Sequence, residues 1–177
     1  MIIAAVRNGE DFEKAVKSDV RIIFDLAPDI SDISERITAA HKAGKALFAH
    51  IDLAAGIGRD KSGMVFLEKM GLDGIVSTKA PMIKLAKESG LKAVQRFFII
   101  DSKSVMATIE GIKTTKADMI EIMPALVFRV IKRLKSEANV PIIAGGLIET
   151  EEDVAVALES GAFAVSTGEC KLWHYEK

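Results

Sequence analysis

The chain has 177 residues, of which 49% are hydrophobic, and its 24 Lys and Arg nearly balance 25 Asp and Glu, for a net charge of -1. This length supports one sizeable hydrophobic core, and the apolar fraction excludes a wholly disordered chain. The near-zero net charge gives no global basic field, so composition alone does not indicate a nucleic-acid partner.

Signals for membranes, secretion and cross-linking are missing from the sequence. No apolar run reaches the roughly 18 residues that a bilayer span needs, and the first residues lack the pattern of a signal peptide. The single cysteine, Cys170, excludes an internal disulfide framework. We therefore expect a cytoplasmic protein with no membrane partner.

Eight short apolar or β-branched runs recur along the chain, and they predict strands that are covered on both faces, as in a parallel sheet. In chain order these runs are residues 2–6, 20–26, 46–51, 74–77, 93–98, 119–123, 141–144 and 162–166. Segments with helical periodicity lie between them; Ile33, Ile37 and Ala40, for example, recur on one helix face.

The predicted helices carry start and stop signals. Thr150 stands three residues before Asp153, which predicts a helix that begins in a capping box. Four helices are predicted to end at a glycine in the left-handed region, and Asn139 is assigned the same role in another. The four glycines are Gly44, Gly71, Gly90 and Gly161.

Eight βα units without a linker predict an α/β fold in which residues 1–177 form one (β/α)8 barrel, the TIM-barrel architecture. An open α/β sheet is the alternative. The chain is shorter than the roughly 200 residues usual for such barrels, so we expect short helices after the first and eighth strands.

The most specific local signal follows the last two predicted strands. Gly145 and Gly146 follow the seventh strand, and Ser166, Thr167 and Gly168 end or follow the eighth. Main-chain N–H groups in such loops can bind a phosphate, and barrels often bind phosphate at this place. The alternative is that the glycines only form turns and Thr167 only caps a helix.

Other polar residues stand at the ends of the remaining strands, where ligands bind in this fold. We select cations that could neutralise a phosphate, and polar groups that could bind the hydroxyls of a small polyol. The cations are Lys79 and Arg96, and the other groups are Asn8, His50, Asp52 and Glu121. Arg96 and Glu121 could instead form a structural ion pair between neighbouring strands.

A catalytic interpretation stays open, because a carboxylate, a histidine and a lysine in one barrel mouth could perform proton transfer or Schiff-base chemistry on a sugar phosphate. The spacing singles out no pair of nucleophile and base. No metal-ligand spacing and no Walker or Rossmann glycine pattern is present, so we expect neither a metal nor a cofactor. The residues alone predict a barrel that binds a small phosphorylated ligand.

The chain resembles the glycerol uptake operon antiterminator regulatory proteins over nearly its full length. The matching segments, in chain order, are residues 5–8, 50–53 with Gly56, 75–79, 95–97, 101–102, 121–124, 141–148, 166–167 and 172–173. One departure is Ala125, where the family pattern leads us to expect glycine.

The resemblance implies a barrel that senses glycerol 3-phosphate and acts on the leader of a messenger RNA, where it prevents a terminator from stopping transcription of glycerol-uptake genes. It assigns phosphate binding to Gly145, Gly146, Thr167 and Gly168. It places five residues around the glycerol moiety: His50, Asp52, Lys79, Arg96 and Glu121.

The RNA partner is implied by the resemblance alone, since only 6% of the residues are aromatic and no RNA-recognition motif is present. Lys132, Arg133 and Lys135 cluster on one predicted helix, a pattern that is typical of a solvated helix face and only secondarily of an RNA contact. The sequence leaves open whether the chain forms a homo-oligomer. The rival function is that of a sugar-phosphate isomerase or aldolase.

Overall fold

The computed structural model describes residues 1–175, and the last two residues of the predicted domain lie outside them. All eight predicted strands are present, and they pair in parallel around a closed barrel in the order of the sequence. The strands are β1 (Ile2–Val6), β2 (Ile22–Asp25), β3 (Ala46–His50), β4 (Gly74–Ser77), β5 (Lys92–Phe98), β6 (Met119–Met123), β7 (Ile142–Gly145) and β8 (Ala164–Thr167). Pairing of β1 with β8, in which Ile2 stands opposite Val165, closes the barrel and excludes the open sheet.

Helices follow seven of the strands and cover the outside of the barrel. They are α1 (Gly9–Lys17), α2 (Ile33–Lys42), α3 (Lys61–Lys69), α4 (Ala80–Glu88), α5 (Ser102–Thr115), α6 (Phe128–Glu137) and α7 (Glu151–Glu159). After β8 the chain forms only a five-residue 3-10 helix, Cys170–His174, as the short chain predicts. After the first strand, α1 has nine residues, the same length as α3, α4 and α7 and shorter than the other three helices.

Alternation along the strands sorts their side chains into two apolar layers. The outer layer packs against the helices. The inner one is a separate cluster formed by Ile3, Phe24, Phe48, Val76, Val94, Ile143 and Ala164. Because side chains of one face recur every second residue, the next inward positions toward the carboxyl ends are His50, Arg96 and Ser166. The fold thus places polar side chains directly above an apolar plug.

The helix ends follow their predicted chemistry with one exception. Thr150 caps α7, because its hydroxyl accepts from the N–H of Asp153 while the Asp153 carboxylate accepts from the N–H of Thr150. The four glycines at predicted helix ends all have positive φ, between 70° at Gly44 and 102° at Gly161. The assignment of Asn139 is wrong, since α6 passes into extended backbone at Ala138.

The helices within residues 1–175 include none that is both long enough and apolar enough to cross a membrane.

Gly74 is required inside the barrel by a close approach of its neighbours. A Cβ atom at this position would lie 2.5 Å from the Phe48 ring and 2.6 Å from the main-chain oxygen of Lys92. The ring belongs to the inner apolar cluster, which leaves it little freedom to move.

We expect Gly74→Ala to lower the free energy of unfolding by about 2–3 kcal/mol, because the added methyl overpacks the barrel interior. The matched control is Gly90→Ala, where φ is also unfavourable at +87° but nothing lies within 4 Å of the new Cβ. That control should lose about 1 kcal/mol from backbone strain alone. Urea unfolding of both variants measures the difference, and equal losses would contradict the packing argument.

Candidate functional site

A cavity of about 220 Å³ opens at the carboxyl ends of the strands. It lies where β5, β6, β7 and β8 and the segment after β1 meet, and its polar lining includes Arg7, Arg96, Glu121, Ser166 and Thr167. Pockets for drug-sized ligands usually measure roughly 300–1,000 Å³. This cavity is therefore sized for a small metabolite rather than for a dinucleotide.

The loops after β7 and β8 present free main-chain donors to this cavity. Within residues 1–175, the N–H groups of Gly146, Leu147, Ile148 and Gly168 donate to no acceptor. All four residues line the cavity. Gly146 and Leu147 both have positive φ, 77° and 59°, which turns the loop over the cavity. Clustered, unpaired N–H groups bind anions, so the geometry favours a phosphate site here.

The donors belong to the loops and not to the end of a long helix. The segment that follows β8 is a 3-10 helix of five residues, Cys170–His174. The helix that follows β7 begins only at Glu151 and carries three acidic residues in its first turn. A helix dipole after β8 therefore contributes little, and any positive potential here comes from single peptide groups.

Hydrogen bonds hold the two loops to each other and to their neighbour. The Thr167 hydroxyl donates to the Ile148 carbonyl at 2.8 Å and accepts from the N–H of Glu169 at 3.0 Å. The N–H of Ala125 donates to the Gly146 carbonyl at 3.1 Å. Ala125 is fully buried and does not have positive φ, so this position does not need the glycine expected from the family pattern.

Glu121 forms a buried polar contact at the floor of the cavity. Its carboxylate accepts from Arg96 Nε and from the Ser166 hydroxyl, each at 2.5 Å. Both partners are also buried. A Cβ at Gly145 would lie 2.5 Å from both the Glu121 carboxylate and the Ser166 hydroxyl. Gly145 therefore makes room for this contact, a reason for glycine that differs from the predicted approach to phosphate.

Arg96 combines the two interpretations that the sequence left open. Its Nε forms the ion pair with Glu121 on the neighbouring strand. Its two terminal nitrogens form no hydrogen bond within residues 1–175, and the residue lines the cavity. Because guanidinium nitrogens bind oxyanions in pairs, Arg96 can be held by Glu121 and still bind a ligand oxygen.

His50 is the most unusual polar residue of the mouth. It is 5% exposed, and neither of its ring nitrogens has a hydrogen-bond partner within the described chain. Its Nε2 lies 3.9 Å from the Asp52 carboxylate. Burial and the charge of Arg96 lower the pKa of His50 to about 4, against a smaller opposing effect of Asp52. The ring is therefore neutral near pH 7, with one nitrogen free to donate and the other to accept.

Asp52 supports the loop after β4 instead of lining the cavity. Its carboxylate accepts three hydrogen bonds of 2.7 Å, from the Ser77 hydroxyl and from the N–H and hydroxyl of Thr78. Burial disfavours the charge of Asp52, but these hydrogen bonds outweigh it and lower the pKa of the carboxyl group.

Lys79 and Asn8 lie outside the cavity lining as well. Lys79 is exposed at the start of α4. Asn8 caps α1, where its side chain accepts from the N–H of Asp11 and donates to the Asp11 carboxylate, both at 2.8 Å. Of the eleven predicted site residues, six line the cavity: Arg96, Glu121, Gly146, Ser166, Thr167 and Gly168.

The lining also contains residues that we did not predict: Ala5, Arg7, Leu26, Met123, Leu147, Ile148, Glu149 and Glu169. Two of them, Arg7 and Met123, follow from strand alternation. Ile3 faces the barrel interior, so positions 5 and 7 share its face, and Asn8 does not. In the same way Met123 shares the face of Glu121. The alternating pattern is present in the sequence, but it predicts these residues only once it is known which side chains of each strand face the barrel interior.

The cavity does not bring together the residues that the sequence offered for catalysis. Lys79, the predicted Schiff-base lysine, does not line the cavity, and Glu121 is engaged by Arg96 and Ser166. Among residues 1–175 no three His, Cys, Asp or Glu side chains are grouped so that they could hold a metal ion.

Fold and cavity together define a (β/α)8 barrel with a small polar cavity at its carboxyl mouth. The sequence profile of the family described as "Glycerol-3-phosphate responsive antiterminator" matches residues 2–173. The chain belongs to this family.

Related proteins agree with the assignment. A glycerol uptake operon antiterminator regulatory protein from Listeria monocytogenes is 34% identical, with a TM-score of 0.90 over 97% of this chain and 94% of its own. A glycerol uptake operon antiterminator-related protein from Thermotoga maritima is 32% identical, with a TM-score of 0.85 over 97% of this chain and 96% of its own. The protein YgcP of Escherichia coli K12 is 34% identical over 99% of this chain and 93% of its own.

The titration of His50 should make the free energy of unfolding depend on pH. The unfolded residue takes a proton near pH 6.5 and the folded one near pH 4, so between these values the unfolded state binds more protons. Stability should be fully retained above pH 6.5 and should fall by up to about 3 kcal/mol as the pH drops to 4. Urea unfolding across this range measures it. His50→Gln should remove that part of the slope, and parallel curves for wild type and variant would contradict the assignment.

Proposed function

We propose that this protein is a cytoplasmic, glycerol-3-phosphate-responsive antiterminator that binds the leader of a messenger RNA from glycerol-uptake genes. Membership of the family supports the activity. The single observation that carries the ligand assignment is the cluster of unpaired N–H groups at Gly146, Leu147, Ile148 and Gly168 around a small cavity.

The phosphate of the ligand would bind at these N–H groups. Several donors converge there, and a dianion uses more acceptor oxygens than a carboxylate does. Arg7 lines the same cavity and adds a positive charge, which Glu149 and Glu169 in the same lining offset. The assignment therefore rests on the N–H groups. The volume of about 220 Å³ suits a phosphorylated three-carbon polyol.

The polyol end would lie toward the floor, near Arg96 and Glu121. The terminal nitrogens of Arg96 can donate to a hydroxyl oxygen. His50 lies beside Arg96, and its neutral ring can exchange hydrogen bonds with a hydroxyl if the guanidinium shifts on binding. Both groups favour a ligand with hydroxyls next to its phosphate.

The rival enzyme function has less support. A general base or Schiff-base lysine has to reach the substrate, and geometry has priority over residue type. Lys79 lies outside the lining, and Glu121 is held as an ion pair. The cavity offers N–H donors for an oxyanion but brings neither Lys79 nor a free Glu121 carboxylate to a ligand, which suits the reversible recognition that a sensor needs.

Ligand binding can regulate the RNA interaction only if the ligand has different affinities for two states of the protein. The loops after β7 and β8 are the segments that would differ between the two states, because ligand oxygens would accept hydrogen bonds from N–H groups that are free without ligand. Ordering of these loops would then favour the state that binds RNA.

We expect glycerol 3-phosphate to bind at least about 100-fold more tightly than glycerol, because the phosphate makes most of the hydrogen bonds. Calorimetry with both compounds tests the ligand. Gel shifts with the leader RNA, across salt concentrations and with or without glycerol 3-phosphate, test the regulatory function. Equal affinity for both compounds would refute the anion site, and the absence of any protein-dependent shift would favour the enzyme.

Gly146→Val should weaken glycerol 3-phosphate binding at least tenfold, about 1.4 kcal/mol. Gly146 has φ +77°, and a Cβ there would lie 2.7 Å from Met123 Cε, so the loop has to move away from the cavity. Gly44→Val is the matched control, because Gly44 has φ +70° with nothing within 4 Å and lies at the end of α2. A folded Gly146→Val protein with wild-type affinity would contradict the prediction.

A further inference from the structure

A second concave surface lies beside the ligand cavity, between the segment that follows β5 and helix α6. It is a groove of about 400 Å³ whose apolar wall includes Val105, Val127 and Val130. Ile100 stands on one rim and is 86% exposed. Arg129 and Arg133 form the other rim. Below we call this surface the α6 groove.

The α6 groove is locally basic although the whole chain has a net charge of -1. Helix α6 carries four cations and a single acidic residue, Glu137. Arg129 is exposed and forms no ion pair within the described residues, while Arg133 Nε lies 2.8 Å from Glu137. The one acidic residue in the groove is Asp101, and its carboxylate is used as the cap of α5, where it accepts from the N–H of Ser104 at 2.8 Å.

We propose that the α6 groove binds a single-stranded segment of the RNA, with bases against Ile100 and the valine wall and phosphates at Arg129 and Arg133. This inference rests on the proposed function and adds the surface by which the RNA is held. Unstacked RNA bases bind to an apolar face, and the RNA phosphates next to them bind to cations. An arginine suits the phosphates, because its guanidinium presents several N–H donors in a rigid plane. The valine wall of the α6 groove supplies the apolar face, and its arginine rim supplies the cations.

Single exposed apolar residues are common and need no explanation. Here, however, Ile100 is 86% exposed and lines the groove together with Arg129, and Phe98, two residues earlier and outside the groove lining, is 52% exposed. A solvated helix face would explain the cations of α6 but not the apolar residues opposite them. An RNA partner uses both sets, since bases cover the apolar side and phosphates pair with the arginines.

The position of the groove also provides a connection to the ligand. The N–H of Ile99 donates to the Met123 carbonyl at 2.7 Å, and Met123 lines the ligand cavity. The N–H of Ala125 donates to the carbonyl of Gly146 in the predicted phosphate loop. A ligand that fixes the loop at Gly146 would thereby bias the segments that form both sides of the groove, provided that the groove has two arrangements with different ligand affinity.

The test compares three variants of the full chain in binding to the transcribed leader of the glycerol-uptake genes, with saturating glycerol 3-phosphate. Arg129→Glu should raise the Kd for RNA at least tenfold and reduce the slope of log K against log salt by about 1, because a phosphate contact is lost. Ile100→Ser should raise the Kd about fivefold without a change in that slope, because it removes an apolar contact to a base.

Arg21→Glu is the matched control, with the same charge change. Arg21 is exposed, stands directly before β2 at the opposite end of the barrel, and forms no ion pair within residues 1–175. It should leave the Kd within twofold of wild type. Calorimetry with glycerol 3-phosphate should give wild-type affinity for all three variants, which shows that they are folded and that the ligand site is intact.

The failures of the two proposals are distinguishable. If wild type binds RNA and Arg129→Glu and Ile100→Ser bind it as Arg21→Glu does, the groove is not the RNA site, and an acidic protein segment becomes its better partner. Equal weakening in Arg129→Glu and Arg21→Glu would reveal unspecific charge attraction and also overturn the assignment. If wild type binds no RNA at any ligand concentration, the antiterminator function fails and the groove proposal fails with it.

Discussion

The carboxylate of Glu121 is the contact on which the barrel mouth depends. It is 1% exposed, and a buried carboxylate is tolerated only when it is paired and hydrogen-bonded. Arg96 from β5 and Ser166 from β8 meet this need, so one side chain ties three strands together where the ligand would bind. The same contact requires glycine at position 145. Because Glu121 offsets the charge of Arg96, the proposed attraction of a phosphate would come mainly from main-chain N–H groups and from Arg7.

Under the proposed function, this division of roles would make the mouth selective. A pair of free arginines would attract any anion, whereas N–H groups fixed in a loop select an anion by its shape and by the number of its oxygens. The fixing is provided by main-chain carbonyls: Ile148 accepts from the Thr167 hydroxyl, and Gly146 accepts from Ala125. The carbonyls of Ile148 and Gly146 are thus paired, whereas the N–H groups of Gly146, Leu147 and Ile148 in the same loop donate to no acceptor within residues 1–175.

Much of the fold is predictable from the sequence, because strands buried on both faces are continuous apolar runs and helix ends need left-handed residues. Lys116 shows the limit: it ends α5 at φ +54°, a conformation that a lysine rarely adopts and no local pattern indicates. The site is less predictable. The sequence shows which polar residues stand at the strand ends. It does not show that Asp52 forms hydrogen bonds to the loop after β4 or that Asn8 caps α1. Such local hydrogen bonds compete with ligand binding, and only the folded backbone decides between them.

The short βα loops limit how ligand binding could change other parts of this barrel. With α7 starting at Glu151 and β7 ending at Gly145, only a few residues separate strand from helix, so the loop cannot close as a long lid. A signal then has to pass between neighbouring βα loops through direct contacts. The bond from Ala125 to Gly146 joins the β7 loop to the segment before α6, and the bond from Ile99 to Met123 continues to the β5 loop. Small shifts in a tightly packed rim move such contacts together. A minimal barrel is therefore suited to sensing at its rim, where one face carries both the ligand cavity and the groove beside it.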